Sequence, residues 1–474
     1  MRGARAPASR TADGGRGRSP RAKSARRLVV IGGDAGGMGA AAQARRLDPE
    51  LEIVALEKGE WTSYSACGIP YLVSGVVAGG LEALVARPPQ VHRSEHRIDV
   101  RLRHEVTGID LDKRRVEVRN HEHGRTLRLS FDDLLIGTGA RAMRPDVEGI
   151  DLPFVHGVQT LDDAARLIAH ARPADCRRVV VVGGGYIGIE MAEAFTERGA
   201  EVTLVEGGPQ LMRTLDADMA RRVEAAVQRF GIELRTSTPV TGFADGEVHT
   251  DNGSIPADLV VLGLGVSPNS ELAADAGIET GAKGAISVTP RQRTSAEGVW
   301  AAGDCCDSFH LVSRRRVHVA LGTVANRQAR VAGTNLGGGS ATFNGVVGTA
   351  ITKLCGTEVS RTGLTEHECE VEGLDAVAAT VTSSTRAGYY PGAEEIAVKA
   401  VAERRTGRLL GMQIVGGAPG SGKRIDAVAV AIHAGFTAEE LNDADLAYAP
   451  PFGPVWDPVA VAARAVAKAA AGAA

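Results

Sequence analysis

One thiol stands between two nucleotide-binding signals. Cys67 lies in the run Trp61-Thr-Ser-Tyr-Ser-Ala-Cys-Gly-Ile-Pro-Tyr71, just after one glycine-rich fingerprint and well before a second. Two dinucleotide sites and a thiol describe an electron relay that ends on sulfur. Gly68 and Pro70 suggest a turn opening a helix over 69–77, with Cys67 at or beside its start. A helix N-terminus favours the thiolate over the thiol and so lowers the thiol pKa. The bland alternative is a small buried hydrophobe, which is what most free cysteines are. The fingerprints on either side favour a redox thiol. Ser63 and Ser65 flank it and can hydrogen-bond the sulfur or a substrate; local turn capping is the competing reading.

The elements that must position the thiol follow a repeated plan. An apolar strand over 28–31 runs into Gly32-Gly33-Asp34-Ala35-Gly36-Gly37, then an Ala-rich helix through Arg46, then a strand over 52–56 ending at Glu57. Strand, glycine turn, helix, strand and acid form the first half of a Rossmann unit. Gly32 makes the tight turn, Gly37 allows close helix–strand packing, and Glu57 is placed to bond ribose hydroxyls. Asp34 takes the middle glycine's place. The second unit is complete: a strand over 178–182, then Gly183-Gly184-Gly185-Tyr186-Ile187-Gly188, a helix through Arg198, and a strand over 202–205 ending at Glu206. The pyrophosphate is expected on the helix N-terminus. The Glu206 carboxylate repels a 2′-phosphate, which favours NADH while leaving NADPH possible. A strand entering Gly137-Thr138-Gly139 and another ending at Gly303-Asp304 join the expected cofactor-binding set, with Gly265 in the second unit. Asp304 is placed to accept from a ribityl hydroxyl; a plain strand-end turn is the alternative for both segments.

Beyond Asn344 the pattern becomes strands at 349–354, 374–382, 395–403 and 409–415. Helices follow at 424–434 and 437–441, with a last helix from Asp457. The fold class expected is α/β, with two Rossmann-type dinucleotide-binding domains and a C-terminal α+β domain. The expected division is a disordered basic tail (1–27), a flavin domain in two parts (28–150 and 267–340), a nicotinamide domain (151–266), a dimerisation domain (341–467) and a frayed end (468–474).

These segments, in this order, resemble the flavin- and pyridine-nucleotide-dependent disulfide reductases over residues 28 to about 467. The resemblance is carried by the first glycine turn, Ser63-Tyr-Ser-Ala-Cys-Gly-Ile-Pro-Tyr71, the intact second fingerprint, Ala301-Ala-Gly-Asp304, Gly388-Tyr-Tyr-Pro-Gly-Ala393 and Tyr448-Ala-Pro-Pro-Phe452. It is closest to the single-cysteine branch of coenzyme A disulfide reductases, persulfide reductases and NADH oxidases. The resemblance implies FAD in the first unit, NADH or NADPH in the second, and a homodimer. It further implies that Tyr389 or Tyr390, with Phe452, completes the partner's active site, and that Thr323, Asn326 and Gln328 lie on a helix aimed at the flavin. Tyr186 resembles the gate that shields the flavin; packing on the flavin domain is the other reading. Leu72 stands where a resolving cysteine would be, and the first turn offers no histidine for water-forming oxidase chemistry. Ala66 and Phe452 replace the Asn and Tyr frequent in coenzyme A disulfide reductases.

The expected substrate is a small disulfide, coenzyme A disulfide first, with persulfide or polysulfide reduction, NADH oxidation or redox sensing as rivals. Arg87, Arg93 and Arg97 are the basic residues considered for a coenzyme A phosphate. Of the 54 basic and 57 acidic residues, nine basic and one acidic lie in residues 1–27, leaving a net −11 beyond them. An acidic body gives no sign of nucleic-acid binding. No apolar run is long enough to span a membrane, and the basic segment lacks the apolar stretch of a secretory signal. Six cysteines without zinc or disulfide spacing fit a reducing cytoplasm. No metal is expected, and the vicinal Cys305-Cys306 pair is read as structural.

Overall fold

The computed structural model describes residues 26–171, 176–417 and 419–472. The basic segment therefore lies outside the described residues except at Arg26 and Arg27, and Arg27 already begins the first strand.

That strand, Arg27–Ile31, sits at the centre of a five-stranded parallel sheet. The order is Val299–Ala301, Asp133–Ile136, Arg27–Ile31, Glu52–Leu56, Asp99–Arg101. Its run of Leu28, Val29, Val30 and Ile31 is buried on both faces, as a parallel strand covered on two sides requires. Leu28, Val30 and Leu135 pack with Met38 and Ala41 of helix Ala35–Leu47 and with Ala329 and Ala332 of helix Gly322–Leu336. Val29, Ile31 and Ile136 face Val116 and Val118 of a three-stranded antiparallel sheet over residues 104–130, and Phe131 just beyond it. A second five-stranded parallel sheet has the order Glu233–Arg235, Glu201–Val205, Arg178–Val182, Leu259–Leu262, Val155–Gly157. It lies in the chain between Asp133–Ile136 and Val299–Ala301, so the first sheet is assembled from two separated stretches. Beyond it, five antiparallel strands run in the order Ala350–Leu354, Thr357–Gly363, Leu409–Gly417, Glu395–Glu403, Ala376–Ser384. Helices Ile425–Ala434 and Pro458–Ala471 cover this sheet. The expected α/β class with a C-terminal α+β unit is the architecture observed.

Two local expectations are corrected, and one strand was not anticipated. The helix expected over 69–77 spans only Ile69–Ser74, because Gly75 turns left-handed at φ 88° and caps it. The strand Thr357–Gly363 carries Ser360, Arg361 and Thr362 in its buried middle and shows no apolar alternation. It is held because Arg361 pairs with Glu368 at 2.6 Å and Ser360 Oγ donates to the Gly422 carbonyl. The end of the chain is helical through Ala471, with Ala470 buried, so fraying does not begin at 468.

The second parallel unit is bolted to the C-terminal sheet by charge. Lys399 Nζ, almost wholly buried, reaches Glu366 at 2.9 Å, Asp218 at 3.0 Å and Asp216 at 3.3 Å. Glu193 accepts from Lys353 Nζ at 2.7 Å and from the Cys355 N–H at 2.8 Å.

Candidate active site

The two glycine turns repeat one geometry. Gly32 and Gly183 have φ 106° and 107°, and their N–H groups donate to the strand-end carbonyls of Leu56 and Val205. A Cβ on Gly37 would meet the Gly32 carbonyl, and one on Gly188 the Gly183 carbonyl, so helix and strand approach closely only with glycine there. Glu57 accepts from the N–H groups of Gly33 and Gly59, both at 2.7 Å. Glu206 accepts from Gly184 at 2.8 Å and Gly208 at 2.7 Å. Each acid thus braces its own turn and keeps lone pairs for a ribose. Burial raises the Glu57 pKa.

In the first turn, Asp34 is the N-cap of helix Ala35–Leu47, but its side chain caps nothing in that helix. Its Oδ1 accepts from the Tyr64 N–H at 3.1 Å, and burial lifts its pKa to about 6. Ala35, Gly36 and Gly37 open the helix, and Gly36 lies against the Ala302 carbonyl, where a Cβ would collide. The second turn is more open: a Cβ on Gly185 would meet nothing nearer than the Gly263 carbonyl at 3.8 Å. Tyr186 and Ile187 begin helix Tyr186–Glu197. The Tyr186 hydroxyl is buried without a hydrogen-bond partner, and its pKa is raised by burial.

The remaining expected cofactor residues are held by neighbours that sequence reasoning missed or underused. The Thr138 hydroxyl donates to the Asn269 carbonyl at 2.5 Å, and Asn269 returns a bond to the Thr138 carbonyl at 2.9 Å. Gly139, at φ 66°, accepts from the Asn269 N–H. Gly265, at φ 90°, accepts from the Met143 N–H. Gln328, fully buried, accepts from Gly303 N–H at 2.9 Å and so fixes the turn carrying Asp304. The Asp304 Oδ1 atom is buried with no partner, and burial raises that carboxyl's pKa. Thr323 is exposed in the first turn of helix Gly322–Leu336, beside a cleft of about 210 Å³ that Arg327, Gly348, Val430 and His433 also line.

Cys67 sits in a single 3-10 turn, Ala66–Gly68, directly ahead of helix Ile69–Ser74. Its loop is tied to the first glycine turn: Ser63 N–H donates to the Gly33 carbonyl at 2.9 Å, and Tyr64 N–H to Asp34. Its helix packs on Tyr186–Glu197, the helix of the second fingerprint. Among the six cysteines Cys67 alone is exposed as a residue. The lowered thiol pKa expected from a helix N-terminus is not found. Partial loss of water around the sulfur, then Glu190 and Asp304, push the thiol up, and Asp34 adds to this. A six-residue helix has too few aligned peptides to offset three carboxylates. Glu190 was not anticipated. It sits two residues after the last fingerprint glycine, where a helix interior gives no signal, and it accepts from the Thr352 hydroxyl at 2.5 Å.

Several expected residues lie elsewhere. Ser63 Oγ is bonded to His92 Nε2 at 2.9 Å. Tyr389 and Phe452 are each 77% exposed on the C-terminal unit. Their loops are joined by the Ala387 N–H to the Pro450 carbonyl, and Arg386 stacks 5.8 Å from the Tyr390 ring. Among the described residues no hydrogen bond links them to the Cys67 loop of their own chain. Arg93 and Arg97 donate to the carbonyls of Val100 and Pro49, whereas Arg87 has no side-chain partner among the described residues. Cys305 and Cys306 are buried free thiols with sulfurs 3.7 Å apart.

FAD, which the family implies, fits these residues. The Asp304 oxygen is a buried acceptor lacking a donor, and the first helix opens on Ala35, Gly36 and Gly37 without a side-chain cap.

A protein with two Rossmann units, one exposed thiol between them and a C-terminal antiparallel sheet is a two-nucleotide thiol oxidoreductase. The family models agree. Residues 26–329 match the pyridine nucleotide-disulphide oxidoreductase model, and 349–459 match the dimerisation domain of the same family. The chain belongs to the pyridine nucleotide-disulphide oxidoreductases. It is 40% identical over 447 residues to a Pyrococcus horikoshii NAD(P)H coenzyme A polysulfide/persulfide reductase, covering 93% of this chain and 98% of that protein. Among solved structures, an NAD-dependent persulfide reductase from A. fulgidus aligns with TM-score 0.91 and 36% identity, over 94% of this chain and 84% of that one. Reduced Bacillus anthracis CoADR-RHD aligns with TM-score 0.91 and 32% identity, over 95% and 81%.

Proposed function

We propose that the chain is an FAD-dependent NAD(P)H oxidoreductase that uses Cys67 to reduce the sulfur–sulfur bond of a small coenzyme A-type disulfide or persulfide. The observation that carries this is the position of Cys67. It is the exposed cysteine, on a loop tied to the first glycine turn and a helix packed against the second.

The first turn, Glu57, Thr138, Gly139, Asp304 and Thr323 hold FAD, and Gly183, Gly185, Ile187, Gly188, Glu206 and Gly265 hold NAD(P)H. FAD supplies the two-electron link between nicotinamide and sulfur. Tyr186, the first residue of the second fingerprint's helix, serves as the gate. The Cys67 thiolate attacks one sulfur of the substrate, forming a Cys67–S–S–R bond and expelling a thiolate, which takes a proton. Two electrons from NAD(P)H then cleave that bond and restore Cys67. With a disulfide, NAD(P)H, a proton and RSSR give NAD(P)⁺ and two RSH. With a persulfide the products are one RSH and hydrogen sulfide. The persulfide reading gains weight from the relatives at 40% and 36% identity.

The units divide at 28–150 with 267–340 for FAD, 151–266 for NAD(P)H and 341–467 for dimerisation. In the homodimer the exposed Tyr389 and Phe452, with the half-buried Tyr390, complete the partner's site, and the setting is cytoplasmic. No helix among the described residues is long and apolar enough to cross a membrane. The test is anaerobic NADH consumption with coenzyme A disulfide or coenzyme A persulfide as sole acceptor. Turnover with stoichiometric thiol or sulfide release supports the reading. Failure with both acceptors, with rapid NADH loss only in air, would make the protein an oxidase.

A further inference from the structure

The loop bearing Cys67 turns at Ser63, whose φ of 49° places a serine in the left-handed region. Three segments meet there. Ser63 N–H donates to the Gly33 carbonyl, and the Ser63 carbonyl accepts from Ala86 at 2.8 Å and Arg87 at 3.3 Å. On the thiol side, Ser65 N–H donates to the Leu84 carbonyl at 2.8 Å. Any relaxation of φ at Ser63 therefore swings the four residues leading to Cys67 relative to the first glycine turn.

The Ser63 side chain is held from below. Its Oγ lies 2.9 Å from Nε2 of His92, a residue 1% exposed within helix Pro89–His96. That helix is itself pinned where Arg93 donates to the Val100 carbonyl. The other ring nitrogen, Nδ1, is buried without a partner. A proton on Nε2 leaves Nδ1 as a bare lone pair, which costs less in an apolar setting than an orphaned N–H. In that tautomer the imidazole donates to Ser63 Oγ and the serine keeps its own proton for a second bond.

We propose that His92 is a positioning residue for Cys67: its imidazole holds the Ser63 hydroxyl, and Ser63 holds the backbone of the thiol loop in its left-handed turn. This rests on Cys67 being the reacting thiol. Burial, with the Arg87 guanidinium and the His96 ring nearby, pushes the His92 pKa down to about 4, so the ring stays neutral through ordinary working pH.

The test separates the two half-reactions in the flavin-loaded protein and adds the rate of Cys67 alkylation by iodoacetamide, read at that peptide. His92→Phe keeps a planar ring, slightly larger, and removes the donor. It is expected to slow the disulfide half-reaction about fivefold, the worth of one hydrogen bond, while NADH reduces the flavin at the wild-type rate. The alkylation rate shifts by the same factor in His92→Phe and Ser63→Ala, the double variant adds nothing further, and His92→Gln recovers most of the loss. The ratio of wild type to variant stays constant from pH 6 to 9. Wild-type values for both half-reaction and alkylation in His92→Phe, or effects that add in the double variant, would overturn the proposal. Should His92→Phe fail to fold, Ser63→Ala alone and with His92→Gln decides the same question. If Cys67→Ser retains turnover, the proposed function fails, yet the alkylation rates still settle whether His92 positions the loop.

Discussion

Glu57 and Glu206 make the same pair of bonds in the two halves of the molecule. Each accepts from the second glycine of its own turn and from an N–H two residues beyond itself. On the proposed assignment, the acid that would select a ribose is therefore also a strut of the turn that would cradle the pyrophosphate. Glu206→Ser should narrow the preference for NADH over NADPH, because the repulsion of a 2′-phosphate is gone. It should also weaken NADH itself by about tenfold, since the N–H groups of Gly184 and Gly208 lose their acceptor. Steady-state kcat/KM with each nucleotide checks both; an unchanged NADH:NADPH ratio would remove Glu206 from the specificity assignment.

Asp304 offers a direct reading of flavin affinity. Its Oδ1 is buried and unpartnered, and a carboxylate in that state binds a donor strongly. Asp304→Ala should release FAD about 10- to 100-fold more readily, measured by flavin fluorescence on dilution. The His318 bond to the Asp304 carbonyl is backbone and survives the change, so the fold should not be the cause.

Lys399 joins the second parallel unit to the C-terminal sheet through Asp216 and Asp218, and pairs with Glu366 within its own unit. Lys399→Met should cost about 3 kcal/mol of stability, because Asp216 is left buried without its cation. The bonds to Glu366 and Asp218 outweigh burial and raise the Lys399 pKa from 10.5 to about 12. A group raised in the folded state stabilises fully below its unfolded pKa, and the benefit is lost as pH climbs towards 12. The melting temperature of wild type should fall towards that of Lys399→Met above about pH 10.5; curves that stay parallel would show that Lys399 is not coupled as drawn.

Much of this was legible in the chain. Gly32, Gly183, Glu57 and Glu206 could be placed by spacing alone, because a Rossmann turn leaves few alternatives for where the glycine and the acid fall. Buried apolar runs such as 28–31 and 178–182 gave the central strands. What escaped was set by contacts distant in sequence. The strand Thr357–Gly363 is polar and survives on its backbone pairing with Leu409–Gly417 and on the Ser360 bond to Gly422. Glu190 looks like any helix residue until Thr352 and Cys67 are brought beside it. The thiol pKa was misjudged for the same reason. The local helix was visible, whereas the carboxylates of Glu190, Asp304 and Asp34 converge only in three dimensions.

That convergence predicts the behaviour of the thiol before flavin is added. In flavin-free protein, alkylation of Cys67 should keep rising with pH past the ordinary thiol range, since burial and the carboxylates hold its pKa up. Asp304→Asn and Glu190→Gln should each bring the midpoint down. A plateau already reached near neutral pH would mean that some unrecognised positive group stabilises the thiolate.

The central claim is that electrons leave the protein through Cys67. The most direct measurement is stopped-flow reduction and reoxidation of Cys67→Ser under anaerobic conditions. NADH should still bleach the flavin at the wild-type rate, while reoxidation by coenzyme A disulfide or persulfide falls about 1,000-fold or more. Reoxidation at an undiminished rate would contradict the account and send the electrons to an acceptor that does not pass through sulfur.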